Sequence, residues 1–247
     1  MFIYIYDGSF EGLLTSIYES FYRKQVPYRI ICRHDPQVNF IDQNVHIETD
    51  IEKAKKVYDS IRQKISSVSL KKVFYTYLSD YEDSGIWIYD YLKLGWKMGS
   101  KVDNHLADER VLKVHKTSLK VLAESHRLLG LIRFQEVYED VFYSPIEPDH
   151  NILRLIAPHF EKRFADQNWI IHDIKRSLTA VYDKNTCEIK STEFKGSFQK
   201  SEDEASYQAM WKKYFESIAI KNRINPKLQR RCMPARYWKH LIEMQPD

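Results

Sequence analysis

The chain has 247 residues and 43% of them are hydrophobic, so it can bury one large core or two small ones. Its seven glycines and eight prolines exclude low-complexity classes, and apolar runs of about five residues exclude a membrane-spanning helix. Three dispersed cysteines without a C-x-x-C pair predict no iron–sulfur cluster, no metal site and no cofactor, and their sparse use favours a reducing, cytoplasmic location.

The N-terminal third alternates short strands with helices. Residues 2–6 predict a strand, and Ser9 is placed to cap the helix that follows. Two further strands are expected at 28–33 and 45–48, on either side of an Asp-Pro loop. The next residues predict three helices, one opened by Asp50 and the others near 70–79 and 84–98. We place a domain boundary near 99–104, which divides the chain into 1–100 and 101–247, although one continuous domain is the alternative.

The longest predicted helix covers residues 108–129. Hydrophobic spacing assigns its buried stripe to six residues, two of them histidines. These are Val111, His115, Leu119, Leu122, His126 and Leu129. Histidines on such a stripe are typical of a hydrogen-bonded core, so we interpret His115 and His126 as core residues and not as metal ligands.

The central stretch, residues 128–182, predicts the sheet. It contains an alternating run at 131–143, a Pro-rich turn, a helix at 151–164 and a second alternating run at 169–182. Together with a strand expected at 187–194, this pattern predicts a small antiparallel sheet. The whole chain is therefore expected to be a mainly helical α+β protein with a short N-terminal strand region.

Charged side chains interrupt the apolar faces of the central runs. Glu136 lies on the apolar face of the first run and Arg176 on that of the second, and a buried lone charge is costly. A structural ion pair between Glu136 and Arg176 is the favoured interpretation. The alternative is a functional cleft, in which Glu136, His150, Asp173 and Arg176 are the candidate catalytic residues.

Positive charge concentrates near the C-terminus. The net charge is +4, but residues 221–240 contain seven Lys or Arg and no Asp or Glu, while the other residues carry 31 basic and 34 acidic side chains. Such a segment favours contact with phosphates, and interleaved aromatic rings can stack on bases. The candidate nucleic-acid-binding residues are Arg223, Lys227, Arg230, Arg231, Arg236, Trp238 and Lys239. The alternative is a solvated surface segment whose tryptophan packs the C-terminus against the core.

Five ordered blocks of the sequence closely resemble one bacterial protein family. They read YIYDGSFEGLL, SHRLLGLIRFQEV, YSPIEPDHNIL, APHFEKRFADQNWIIHDIKRSLTAVYD and NPKLQRRCMPARYWKHLIE. The family is described as probable DNA metabolism proteins of unknown function. Its members are typically encoded beside a radical S-adenosylmethionine protein that resembles a DNA repair or modification enzyme, and some are fused to a uracil-DNA-glycosylase-like module. The family has no established catalytic residues that could be transferred to this chain.

The resemblance implies a DNA-binding accessory protein that works with a radical S-adenosylmethionine partner, which would carry its own iron–sulfur cluster. One alternative is a DNA-processing enzyme of hydrolase or glycosylase type, which would use the central acidic, His and Arg side chains. A second alternative is a scaffold whose basic tail docks a protein.

Overall fold

The computed structural model of the protein describes residues 1–32, 43–138, 140–192, 201 and 203–245. Most of the predicted Asp-Pro loop and the last two residues of the strand expected at 187–194 lie outside these residues. The chain forms two compact units, an N-terminal unit (Met1–Leu122) and a C-terminal unit (Ala123–Asp247). Compactness alone does not test which part folds independently, so the division at residues 100–101 stays a prediction.

The N-terminal unit contains a three-stranded parallel sheet. Its strands are β1 (Phe2–Tyr6), β2 (Arg29–Cys32) and β3 (Gln43–His46), in the order β2-β1-β3. Four of the five residues of β1 are buried, as expected for the central strand of a parallel sheet that is covered on both faces. The predicted short N-terminal strands are confirmed.

Four helices follow the predicted positions in this unit. They are α1 (Phe10–Tyr22), α2 (Ile51–Ser60), α3 (Ser67–Tyr77) and α4 (Ser84–Met98). The Ser9 hydroxyl accepts a hydrogen bond from the backbone N–H of Gly12 at 2.9 Å, and Asp50 caps α2 in the same way. These caps satisfy N–H groups that have no partner inside their helices, so each helix begins at a defined residue.

Helix α5 (Glu109–Leu131) is the longest, as predicted, but its buried stripe is not the predicted one. Leu119 is 63% exposed and Leu122 is 45% exposed. The buried positions are Val111, Val114, Thr117, Ser118, Val121, Glu124, Ser125 and Leu128. Several of them are small or polar. A prediction from hydrophobic spacing therefore chose the neighbouring stripe of the same helix. The histidine interpretation holds only in part: His115 is half-buried with its Nε2 atom 2.9 Å from an Asp103 oxygen, whereas His126 is exposed.

The C-terminal unit is built around a five-stranded sheet in the order β4-β5-β6-β7-β8. The strands are β4 (Gln135–Tyr138), β5 (Val141–Ile146), β6 (Asn168–Asp173), β7 (Leu178–Asp183) and β8 (Cys187–Ser191). Three of the four pairings are antiparallel, but β5 and β6 are parallel, so the sheet is mixed. The reason is the helix α6 (Leu153–Arg163) between them, because a helical crossover carries the chain back to the end of the sheet at which β5 began, so that β6 runs in the same direction.

The described C-terminal residues form two helices and three short helical turns. Helix α7 (Glu204–Ile218) is followed by α8 (Pro226–Cys232), and the turns cover Lys221–Arg223, Ala235–His240 and Ile242–Met244. Asn225 caps α8, and Pro226 occupies its first turn, where a missing N–H costs nothing. The chain is therefore a mainly helical α+β protein, as predicted. Among the described residues, no helix combines the length and apolar character that crossing a membrane requires.

Candidate functional site

A buried carboxylate on α5 organises one side of the C-terminal unit. Glu124 accepts hydrogen bonds from the backbone N–H groups of Asp149 at 2.8 Å and His150 at 2.9 Å, and from the hydroxyl of Tyr237. Burial, reinforced by the contact with Glu124, raises the pKa of Tyr237, so its hydroxyl keeps its proton and donates it. Glu124 thus connects α5, the loop at residues 147–150 (the EPDH loop) and the C-terminal turn that contains Tyr237.

Arg176 holds the same loop through its carbonyl groups. Its guanidinium donates to the Pro148 carbonyl at 3.1 Å, to the Asp149 carbonyl at 2.7 Å and to the carboxylate of Asp173 at 2.8 Å. Asp173 is fully buried, and Arg176 follows it by three residues in the turn after β6. The EPDH loop is therefore bound by a carboxylate at its N–H groups and by a guanidinium at its carbonyl groups.

The predicted ion pair between Glu136 and Arg176 is wrong. Glu136 accepts a hydrogen bond from the Ser201 hydroxyl at 2.9 Å, and Arg176 pairs with Asp173 instead. The alternating pattern treated residues 169–182 as one run, but residues 174–177 form a turn, so Arg176 does not lie on a strand face. The turn instead places Arg176 beside the Asp173 carboxylate at the end of β6. His150, Asp173 and Arg176 come together around the EPDH loop. Glu136 belongs to a separate groove, and the catalytic roles of all four stay predictions.

A second pair of polar residues lies on the strands beside this cluster. The hydroxyl of Tyr143 and the Nδ1 atom of His172 are 2.9 Å apart on the neighbouring strands β5 and β6. Burial lowers the pKa of His172, although the adjacent Asp173 carboxylate opposes that shift. Sequence reasoning missed Glu124, Tyr237 and His172 as members of the buried polar group. No signal in the sequence pointed to Glu124, because it lies on the stripe of α5 that hydrophobic spacing did not select.

Glu136 lines a groove between the sheet and α7. A cavity of about 580 Å³ is bordered by Arg133, Phe134, Glu136, Phe142, Glu204, Tyr207, Gln208, Trp211 and Ile242. The buried Glu204 carboxylate accepts the backbone N–H of Glu136 at 3.0 Å, which fixes the start of α7 against β4. Trp211 donates its indole N–H to Glu243 at 2.9 Å and lies beneath the guanidinium of Arg133. The groove therefore has aromatic walls with both charges present.

The basic tail consists of two parts with different surroundings. The first, residues 221–232, is here called the basic segment and includes α8. Its cations are exposed, and no carboxylate of the described residues lies within ion-pair distance of any of them. They are Lys221, Arg223, Lys227, Arg230 and Arg231. Ile224 and Leu228 are also exposed, and they line a groove of about 630 Å³ beside the end of α7.

The second part, residues 233–245, is here called the anchored segment. Arg236 lies 2.7 Å from an Asp149 carboxylate oxygen, and Lys239 lies 2.5 Å from Glu147. Trp238 donates its indole N–H to the Met233 carbonyl at 2.9 Å. Of the seven predicted nucleic-acid-binding residues, Arg223, Lys227, Arg230 and Arg231 therefore belong to the basic segment, while Arg236, Trp238 and Lys239 belong to the anchored segment.

Comparison with known proteins places the chain in a family. A family model for a domain of unknown function, DUF4130, matches residues 82–243, which is more than half of the 247 residues. The chain belongs to the DUF4130 family. No curated protein and no solved structure matches it. The DUF4130 match includes the EPDH loop, the groove and the basic segment, but its name specifies neither an activity nor a partner.

Within the described residues, no group of three or more His, Cys, Asp or Glu side chains is arranged so that it could hold a metal ion. The hydrogen bonds around the EPDH loop connect side chains to the backbone of the same unit. That arrangement fixes a loop. The basic segment and the groove, in contrast, present charged and aromatic groups at the surface, where a partner molecule can reach them.

Proposed function

We propose that this DUF4130 protein is a nucleic-acid-binding accessory protein, and that the basic segment makes the phosphate contacts. The supporting observation is the set of five exposed cations that have no carboxylate partner among the described residues. Their charge is available to phosphates, whereas Arg236 and Lys239 already have carboxylate partners. The resemblance seen in the sequence supports DNA as the nucleic acid and a radical S-adenosylmethionine protein as the working partner.

Phosphate binding explains the position of these cations in physical terms. Five positive side chains within eleven residues repel each other, which destabilises the compact state at low salt. Binding a phosphate chain removes that repulsion and releases condensed counterions, so affinity should fall steeply as salt rises. Aromatic side chains on α7, including Tyr207 and Tyr214, are exposed and could stack on unpaired bases.

Replacing Arg230 and Arg231 by Ala tests the phosphate contacts. We expect affinity for an oligonucleotide of about 16 nucleotides to fall about tenfold or more at roughly 0.1 M salt, similarly for all sequences. The slope of log K against log salt should shrink by about 1.4 for a single strand or about 1.8 for a duplex. Fluorescence anisotropy at several salt concentrations measures both quantities and also reveals the preferred strandedness.

The matched control removes two other exposed cations. Lys55 on α2 and Lys116 on α5 are exposed helical residues, and their replacement by Ala changes the net charge by the same amount. If both double variants reduce the salt slope equally, the effect comes from net charge and the basic segment has no special role. If the parent protein binds neither DNA form, the proposed function is wrong.

A second candidate function is protein docking, and one observation favours it. The basic segment and the end of α7 expose aliphatic side chains that phosphates cannot use. They include Ile218, Ile220, Ile224 and Leu228. A hydrophobic groove with a positive rim is suited to an amphipathic helix with an acidic edge. Replacing Ile224 and Leu228 by Ser should then abolish co-purification with the radical S-adenosylmethionine protein, while leaving DNA affinity and its salt slope unchanged.

A further inference from the structure

An aromatic cavity lies at one end of the sheet in the C-terminal unit. Its volume is about 370 Å³, at the lower end of the range of about 300–1,000 Å³ that is typical of small-ligand sites. Four aromatic rings and two polar side chains form its lining. These are Phe134, Phe142, Phe164, Trp169, Asp166 and Gln167.

The strand register and the packing of rings give the cavity a rigid wall. Phe142 and Trp169 are register partners on β5 and β6, so they lie side by side on one face of the sheet. Trp169 is fully buried and stacks on Tyr182 with ring centroids 5.2 Å apart. Phe134 packs edge-to-face against Phe164 at 5.4 Å. Rings held by other rings keep their orientation without a ligand, which lowers the entropic cost of binding one.

The two polar side chains of the lining have no hydrogen-bond or ion-pair partner among the described residues. The backbone N–H of Gln167 donates to the Phe164 carbonyl at 3.2 Å, which closes the turn after α6. In contrast, the carboxamide of Gln167 and the carboxylate of Asp166 make no hydrogen bond or ion pair with any described residue. A carboxamide can donate and accept at the same time, and a carboxylate accepts from N–H groups.

The cavity adjoins the groove described above. Phe134 and Phe142 line both spaces, and the groove is bordered on its other side by Tyr207 and Trp211 of α7. Helix α7 leads directly into the basic segment. The C-terminal unit therefore places an aromatic cavity, an aromatic groove and a positively charged segment along connected elements.

We propose that the aromatic cavity binds one unpaired nucleobase of the nucleic acid chain whose phosphates the basic segment contacts. This inference rests on the proposed function. The half-buried rings of Phe134, Phe142 and Phe164 supply stacking surface, which every base can use. Gln167 and Asp166 supply partners for the donors and acceptors on the edge of a base. A quaternary ammonium ion would also fit among aromatic rings beside a carboxylate, but it would leave the Gln167 carboxamide without a partner.

A thermodynamic cycle tests the base contact separately from the phosphate contacts. The change in the protein is the substitution Phe142→Leu, which keeps an apolar side chain and removes the stacking ring. The change in the ligand replaces a single-stranded decamer of thymidine by a decamer of abasic nucleotides, which has the same phosphates and no bases. About ten nucleotides is a typical site size for such binding. We expect Phe142→Leu to weaken thymidine-decamer binding about five- to 150-fold and to leave abasic-decamer binding unchanged.

The polar partners are tested with Gln167→Ala, whose matched control is Gln63→Ala at an exposed position of the N-terminal unit. We expect about two- to tenfold weaker decamer binding for Gln167→Ala and no change for Gln63→Ala. Urea unfolding of each variant checks that the cavity variants are folded before affinities are compared.

Each outcome distinguishes the two proposals. If Arg230→Ala/Arg231→Ala weakens binding but Phe142→Leu affects both decamers equally, the cavity holds no base and this inference is wrong while the proposed function stands. If tetramethylammonium displaces the thymidine decamer from the parent but not from Phe142→Leu, the cavity prefers a cation and the inference is also wrong. If the parent binds the duplex but no decamer, this inference is wrong while the proposed function stands. If the parent binds neither a single strand nor a duplex, the proposed function itself fails.

Discussion

The basic segment and the anchored segment are consecutive and both contain Lys and Arg, yet the structure gives these cations opposite surroundings. Arg236 and Lys239 have carboxylate partners, and Tyr237 between them is buried. Arg230 and Arg231 are exposed and have none among the described residues. A run of positive charge in a sequence is therefore not one functional unit. Carboxylates from distant parts of the chain decide which cations stabilise the fold and which can bind a partner.

The comparison leads to different expectations for substitutions. Changes around the anchored segment should reduce the free energy of unfolding and leave the salt dependence of nucleic-acid binding unchanged. Changes in the basic segment should reduce the salt dependence of nucleic-acid binding. They should leave the free energy of unfolding nearly unchanged, because exposed charges contribute little to stability.

The largest effect is expected for Glu124→Ala. The substitution removes the acceptor of the buried Tyr237 hydroxyl and the buried His150 backbone N–H, and also that of the Asp149 backbone N–H. Unsatisfied buried donors and a broken charge network together should reduce the free energy of unfolding by about 3–5 kcal/mol. Urea unfolding followed by tryptophan fluorescence measures the loss.

Glu216→Ala is the matched control, since Glu216 is an exposed glutamate on α7 of the same unit. It should change the free energy of unfolding by less than about 0.5 kcal/mol. A loss below about 1 kcal/mol for Glu124→Ala would mean that the anchored segment is held by its apolar residues alone, and the contrast between the two segments would lose its electrostatic basis.

An intermediate effect is expected for the pair Asp173 and Arg176. A double-mutant cycle with Asp173→Asn and Arg176→Met should give a coupling free energy of about 1–3 kcal/mol, because the carboxylate is fully buried and lies 2.8 Å from the guanidinium. The parallel cycle with Glu136→Gln and Arg176→Met should be additive within about 0.5 kcal/mol. Strong coupling in the Glu136 cycle would restore the ion pair that the sequence pattern predicted.

The difference between those two cycles shows how far sequence reasoning reaches. Alternation correctly placed strands around residues 135–146 and 168–183, and helical spacing placed α1 to α6, because both patterns are local. Which strands run parallel depends on a crossover. The helix between β5 and β6 was predicted, and its presence was the signal that these two strands run parallel. The buried stripe of α5 was missed because Ser118 and Ser125 are small enough to pack without being hydrophobic.

For the candidate site, only the positions of the basic residues along the chain could be predicted, and not their contacts. The sequence identified the basic residues, but Arg236 contacts Asp149 and Glu124, about 90 and 110 residues away along the chain. Pairings over such separations leave no periodic signal. The aromatic cavity was missed for the same reason, since Phe134, Phe142, Phe164 and Trp169 meet only after the sheet and α6 have assembled.

The smallest effect is expected for Lys239→Ala, which tests whether an exposed cation of the anchored segment behaves as a structural residue. The Lys239 ammonium, together with His240, lowers the pKa of Glu147. A carboxyl with a lowered pKa stabilises the folded protein above its unfolded-state pKa, and the stabilisation is lost as the pH falls through the folded-state value. At pH 7 the substitution should therefore cost about 0.2–1 kcal/mol, because half-exposed pairs are screened by solvent. The difference between variant and parent should disappear as acid protonates Glu147. The salt slope of nucleic-acid binding should stay at the parent value. A reduction by about one unit would show that Lys239 leaves Glu147 to contact a phosphate. The binding surface would then extend into the anchored segment.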